Sequence, residues 1–303
     1  MNLSPQNFSL KQPSPFGFLL IAMLSIQFGS ALAKSLFDEL GPWGVVALRV
    51  SFSAIILFSI WRPKLHSKVK THFKLILAYG IIMACMNCAF YAAIDRIPLG
   101  IAISLEFTGP LGLAAIKSRQ WRDGLWALLA ACGILLLTPF GSSLGGSLSG
   151  SFGGSLDSST INPVGVALAL IAGVFWALYI LLAAKIGPAL PGVEGLSWGL
   201  LVGTILLLPI GIATAGGALL DPKLLATGAG VAILSTALPY ACEIAALRSI
   251  PVKVFGVMLS VEPMMGVLAG FLILGETLSA RSLMACLLVS IAAAGAAQFK
   301  QSA

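Results

Sequence analysis

The sequence predicts an all-α, polytopic membrane protein whose ten transmembrane helices form two inverted five-helix repeats. Three observations predict it. Hydrophobic residues fill 58% of the 303 positions and charged residues only 10%, against about 25% charged in an ordinary soluble domain. Ten stretches approach the roughly 20 apolar residues that cross a bilayer. A motif in the first half returns at an offset of 153, from Ile97 to Ile250, close to half the chain.

The first span, 16–36, ends in Ala31-Leu32-Ala33 and so mimics a signal-peptide core with its cleavage site. Its leading region carries one cation, Lys11, and its removal would leave nine spans, so it is expected to stay. The second span, 43–61, contains Arg49. A basic stretch follows, with Arg62, Lys64, Lys68, Lys70, Lys74 and the only histidines, His66 and His72; it reads as a solvated anchor against anionic lipid. The third span, 73–93, holds Cys85 and Cys88, which at i and i+3 share a helical face without the further ligands a metal site needs. Cys132, Cys242 and Cys286 also lie in apolar spans, and neither metal nor cofactor is expected.

The fourth span, 98–116, and the fifth, 123–140, complete a first repeat, 1–140. Gly141 to Asn162, "GSSLGGSLSGSFGGSLDSSTIN", has one charge, Asp157. Such composition makes a flexible linker. The second repeat, 163–303, has spans at 163–184, 195–215, 224–247, 252–274 and 280–299. In it "AALRSIP" (245–251) answers "AAIDRIP" (92–98), and Pro263 answers Pro110. Five is odd, so the second copy enters the membrane upside down, the plan of secondary transporters.

Orientation follows from the basic residues. With the N-terminus inside, the cytoplasmic side collects Lys11, the basic stretch, Lys117, Arg119, Arg122, Lys185, Arg248, Lys253 and Lys300, while Arg96, Lys223 and Arg281 fall outside. Both termini are expected in the cytoplasm. The net charge of +7 does not imply nucleic acid, because the cations sit in short loops rather than on a solvated face with stacking aromatics.

Ionisable groups at membrane depth cost about 2.5–3.5 kcal/mol on insertion scales and are functional candidates by default. Glu106 falls near the middle of the fourth span, Glu262 near the middle of the ninth and Glu243 toward the inner end of the eighth. Burial favours the neutral form of such a carboxyl until water or a cation reaches it, which makes Glu106 the candidate for proton exchange. Pro110, Pro239 and Pro263 break their helices, freeing the carbonyls of Glu106, Ser235 and Leu259; unpaired backbone at this depth needs protein or a wet cavity to receive it. Gln27, Asn87, Tyr91, Trp176, Tyr179 and Tyr240 are further polar or amphipathic groups that either line the same cavity or bond helix to helix. Arg49 reads as a structural partner in the outer half, although an arginine suits a carboxylate. For a zwitterionic substrate, Glu262 with Trp176 or Tyr179 is expected to hold the ammonium end.

The segments "SIQFGSALAKSLF" (25–37), "IPLGIAISLEFTGPL" (97–111), "AGVFWALYIL" (172–181), "AILSTALPYACEIAAL" (232–247) and "MLSVEPMMGVLAGFLILGETL" (258–278) resemble the EamA branch of the drug/metabolite transporter superfamily over residues 20–297. The resemblance implies ten helices in two inverted halves, a bacterial inner-membrane location, and efflux of small amino acids coupled to protons. Related exporters carry aromatic amino acids, cysteine metabolites or cationic drugs, and passive facilitation needs no titratable centre, so both alternatives stay open. An intramembrane enzyme would need a nucleophile with its base, paired aspartates or an H-E-x-x-H motif, and the spans carry none. Oligomeric state is not legible.

Overall fold

The computed structural model describes residues 15–117, 121–137, 161–190, 193–247 and 257–298. These residues are mostly helical, without a strand, and the α-helices are α1 (Pro15–Lys34), α2 (Phe37–Trp61), α3 (Ser67–Thr71), α4 (Phe73–Ile94), α5 (Leu99–Glu106), α6 (Thr108–Lys117), α7 (Trp121–Leu137), α8 (Pro163–Ile186), α9 (Glu194–Ala215), α10 (Pro222–Ala232), α11 (Leu238–Leu247), α12 (Glu262–Leu274) and α13 (Ala280–Gln298). Among the described residues seven helical segments are long and apolar enough to cross a membrane, and three shorter apolar segments lie at 99–113, 125–136 and 280–296. Most of the linker at 141–162, Ile250-Pro251 and the side chains of Lys11, Lys117, Arg119, Arg122, Arg248, Lys253 and Lys300 lie outside the described residues.

The surface is inverted relative to a soluble protein. Large aliphatic and aromatic side chains such as Ile55, Ile60, Val174, Ile205 and Phe271 face outward, while Gln27, Ser53, Asn87, Ser104, Ser197 and Glu262 are buried. Lipid tails solvate leucine as well as a helix neighbour does, so helices associate through close packing and interhelical hydrogen bonds. Glycines supply the close packing: Gly80 of α4 abuts Val202 of α9, and Gly211 of α9 abuts Ala47 of α2. The main neighbours are α2 with α9, α4 with α8, α7 with α13, α1 with α11 and α12, α5 with α12, α8 with α5 and α6, α4 with α9, and α2 with α10.

Local breaks follow from proline and glycine. Gly41 takes φ 64° within α2, a left-handed conformation open to glycine at little cost, and Pro42 then starts the main helical run. The fourth apolar segment is two helices, since α5 stops at Glu106 and Pro110 sits in the first turn of α6. Pro239 follows a π-helical turn, Ile233–Ala237, in which the Leu238 amide donates to Ile233 O; the wider turn accommodates the missing proline donor. The ninth segment breaks at Ser260-Val261, with Pro263 at the start of α12, where its lost N–H is an orphan anyway. Glu262 therefore opens a helix rather than sitting in the middle of one as expected. Asn162 caps α8, its Oδ1 accepting from Val164 N at 2.9 Å, a normal N-cap arrangement. His66, expected as a solvated anchor residue, instead pairs its Nε2 with Glu194 Oε1 at 3.0 Å, tying the basic stretch to the start of α9.

One end of the bundle is latched by a polar knot. Lys34 Nζ, at the end of α1, donates to Glu276 Oε1 at 2.6 Å and to Ile97 O at 3.1 Å. The other carboxylate oxygen of Glu276 accepts the Leu99 amide at 2.8 Å, an orphan donor of the first turn of α5. Gly275, at φ 65° after α12, turns the chain so that Glu276 comes back over Gly270. Lys34→Met should strand a mostly buried carboxylate. We expect it to lower stability by about 1–3 kcal/mol, read as a lower midpoint of thermal unfolding in detergent, with Lys34→Arg close to wild type.

Candidate functional site

Membrane-embedded polar side chains gather in two groups at different depths. The first surrounds Arg49. Its Nη1 donates to Asn87 Oδ1 at 2.6 Å and its Nε to Ser235 Oγ at 2.9 Å, and its guanidinium lies 5.5 Å from the centre of the Tyr91 ring, within cation–π range. Each partner is itself held: Asn87 Nδ2 donates to Met83 O at 2.8 Å, and Ser235 Oγ to Val231 O at 2.6 Å. Tyr91 is fully buried against Phe37 and Phe90, and its hydroxyl makes no hydrogen bond of ordinary geometry. The π turn brings Ser235 and its neighbours to this place: Ser25 Oγ donates to Leu234 O at 2.6 Å, and Ser53 pairs with Thr236 at 3.0 Å.

Glu106 closes α5, seven residues after Leu99, and Arg49 stands seven residues after Pro42 in α2. No ion pair joins Glu106 to Arg49 among the described residues. The backbone beside Glu106 meets α8 directly. Gly109 abuts Gly173, where a Cβ on Gly109 would overlap the Gly173 carbonyl, and a Cβ on Gly173 would stand 2.6 Å from Glu106 O. The carbonyl that Pro110 releases thus packs directly against α8 at Gly173. Trp176, one turn further along α8, meets Phe107 edge-on at 5.1 Å and shares an apolar cluster with Leu259.

The second group is an aromatic ladder nearer the starts of α4 and α11. Tyr79 stacks on Tyr179 at 5.0 Å, and the Tyr179 and Tyr240 hydroxyls are 2.9 Å apart. Glu243, one turn after Tyr240, is the charge acting on both tyrosines. Glu262 is buried at the start of α12, which packs on α1 and on α5, the helix that ends at Glu106. Gln27 is buried in α1 and makes no hydrogen bond among the described residues.

Of the candidates read from the sequence, Asn87 and Tyr91 come together at Arg49, Tyr179 and Tyr240 meet through their hydroxyls, and Glu106 and Glu262 stand on the packed helices α5 and α12. Trp176 belongs to the Glu106 break rather than to the tyrosines. Sequence reasoning passed over Ser235, Gly173 and the Lys34–Glu276 latch. The serine carries a signal in retrospect, standing four residues before Pro239 in "STALP", where a proline leaves backbone and hydroxyl groups to find other partners.

An all-helical, outward-apolar bundle with buried acids, broken helices and an arginine without a carboxylate partner among the described residues defines a polytopic membrane protein. The model of the EamA-like transporter family matches residues 163–297. The threonine/homoserine exporter RhtA of Salmonella typhimurium (strain LT2) is 40% identical over 281 residues, 93% of this chain and 90% of the relative. RhtA of Escherichia coli (strain K12) is 41% identical over 271 residues, 89% and 87% of the two chains. A crystal structure superposes with a TM-score of 0.60 at 17% identity, over 93% of this chain and 97% of the other, and shows the fold alone. The chain belongs to the EamA-like transporter family and is a multi-pass membrane protein.

Proposed function

We propose that this protein exports small amino acids of the threonine and homoserine type across the bacterial inner membrane in exchange for protons. The substrate class rests on the identity to RhtA along nearly the whole of both chains. The single observation that supports coupling is that Glu106 and Glu262 stand on α5 and α12, two helices packed on each other, inside apolar segments where a fixed charge is costly. Acids that neighbour one another while partly screened from water are suited to exchanging a proton for a cationic group.

The architecture is ten spans in two inverted five-helix repeats, 1–140 and 163–303, joined by the linker 141–162, with both termini cytoplasmic. The packing supports this reading. Exchanging α1 with α8, α2 with α9, α4 with α10–α11, α5–α6 with α12, and α7 with α13 turns each main helix contact into another that is also made. The pair α4–α8 becomes α10–α11 on α1, the contact of α8 with α5 and α6 becomes α1–α12, and α2–α9, α5–α12 and α7–α13 map onto themselves. The Lys34–Glu276 latch then closes the outer face, leaving the aromatic ladder toward the cytoplasm, where substrate enters.

In this reading Glu262, with Trp176 or Tyr179, holds the substrate ammonium. Glu262→Gln should reduce export of neutral amino acids by about tenfold or more, measured as uptake into inside-out vesicles; unchanged uptake removes Glu262 from the site. The exporter itself is tested in the same vesicles with labelled threonine and homoserine against a panel of aromatic amino acids and cationic drugs, with and without an imposed pH gradient. Uptake of threonine that the gradient drives is the expected result. Uptake indifferent to the gradient makes the protein a facilitator.

A further inference from the structure

We propose that Arg49 is the carboxylate-binding residue of the transport site, completing for an α-amino acid the recognition whose ammonium half falls to the acids; this rests on the amino-acid exporter reading. Its surroundings on α2, α4, α5 and the π turn point there. The acceptors that hold it, Asn87 Oδ1 and Ser235 Oγ, are neutral. A guanidinium carries more N–H donors than these two acceptors satisfy. None of the ion pairs among the described residues includes Arg49, in contrast to Lys34 on the neighbouring helix, which is neutralised by Glu276 at 2.6 Å.

A cation whose task was only to tie helices together would be expected to carry its counter-ion. Arg49 is instead oriented without being neutralised. Asn87 at Nη1 and Ser235 at Nε fix the guanidinium plane, the Tyr91 face lies against it at 5.5 Å, and the residue keeps part of its surface exposed. A planar, pre-oriented fork suits a carboxylate in two-point contact. No ion pair joins Glu106 to Arg49 among the described residues, so both charges are left for a zwitterion, whose carboxylate would meet the guanidinium and whose ammonium would meet an acid. A substrate lacking the carboxylate would leave Arg49 uncompensated, so the site discriminates against amines.

The experiment uses the full-length protein in proteoliposomes. L-Threonine should slow modification of Arg49 by phenylglyoxal, read by peptide mass spectrometry, whereas L-threoninamide should not. Wild type should prefer threonine over threoninamide in competition by at least about tenfold, and Arg49→Gln should lose that preference while keeping a normal melting curve. Arg49→Lys should retain part of it. Equal modification of wild-type Arg49 with and without saturating threonine overturns the proposal, and needs no variant to fold. So does an Arg49→Gln protein that folds and still prefers the acid. If threonine protects Arg49 but is not transported, the carboxylate site stands and the exporter reading falls; if threonine is transported with Arg49 unprotected, the reverse holds.

Discussion

Replacing Glu106 by glutamine is expected to yield a protein that folds and binds threonine but no longer answers a pH gradient. The amide keeps the shape and hydrogen-bonding capacity of the carboxyl and removes only its proton. Glu106 has no hydrogen-bond partner among the described residues, so its replacement breaks no interhelical bond. The helix it ends, α5, packs on α12, which opens with Glu262. In inside-out vesicles an imposed gradient should accelerate wild-type uptake, and the gradient-dependent part should fall by about a hundredfold in Glu106→Gln, the scale on which loss of a positioned acid or base acts. Counterflow exchange of labelled for unlabelled threonine, which moves no net proton, should persist. Undiminished gradient dependence would make Glu106 structural and pass the coupling role to Glu262 or Glu243.

The second large effect is steric. Gly109→Ala should push α6 off α8, because its Cβ would overlap the Gly173 carbonyl, which is backbone and cannot swing aside. Overpacking of this kind costs about 1–3 kcal/mol and more where nothing can yield. We expect the folded yield to collapse, or the melting midpoint to fall by far more than in any single polar substitution. Gly112→Ala, in the same helix with nothing within 4 Å of the added carbon, is the control and should stay within about 0.5 kcal/mol of wild type. Equal behaviour of the two variants would mean that α6 and α8 do not meet backbone to backbone.

The class of the protein was legible in its sequence, because membrane insertion is decided locally. A segment of some twenty residues either repays the transfer of its own backbone and side chains into hydrocarbon or does not, and the apolar segments at 15–34, 73–94 and 163–186 announce themselves without reference to the rest of the chain. Acids at 106, 243 and 262 were conspicuous for the same reason, since their cost is a property of depth. The prolines at 110, 239 and 263 marked breaks in advance because proline removes its own donor wherever it stands.

What only the tertiary structure decided is how these groups meet. Arg49 and Ser235 are 186 positions apart, and Lys34 and Glu276 are 242 apart; no local rule links them. Whether an arginine is neutralised by a carboxylate or held by an amide and a hydroxyl depends on which helices adjoin. Gly173 looked like any small residue in an apolar run until Gly109 was found against it. The start of α12 at Glu262, rather than some residues earlier, was settled by the turn at Ser260-Val261. Depth is written into each segment alone, while azimuth and partnership arise from the packing of all of them, and it is azimuth that turns a list of costly residues into a site.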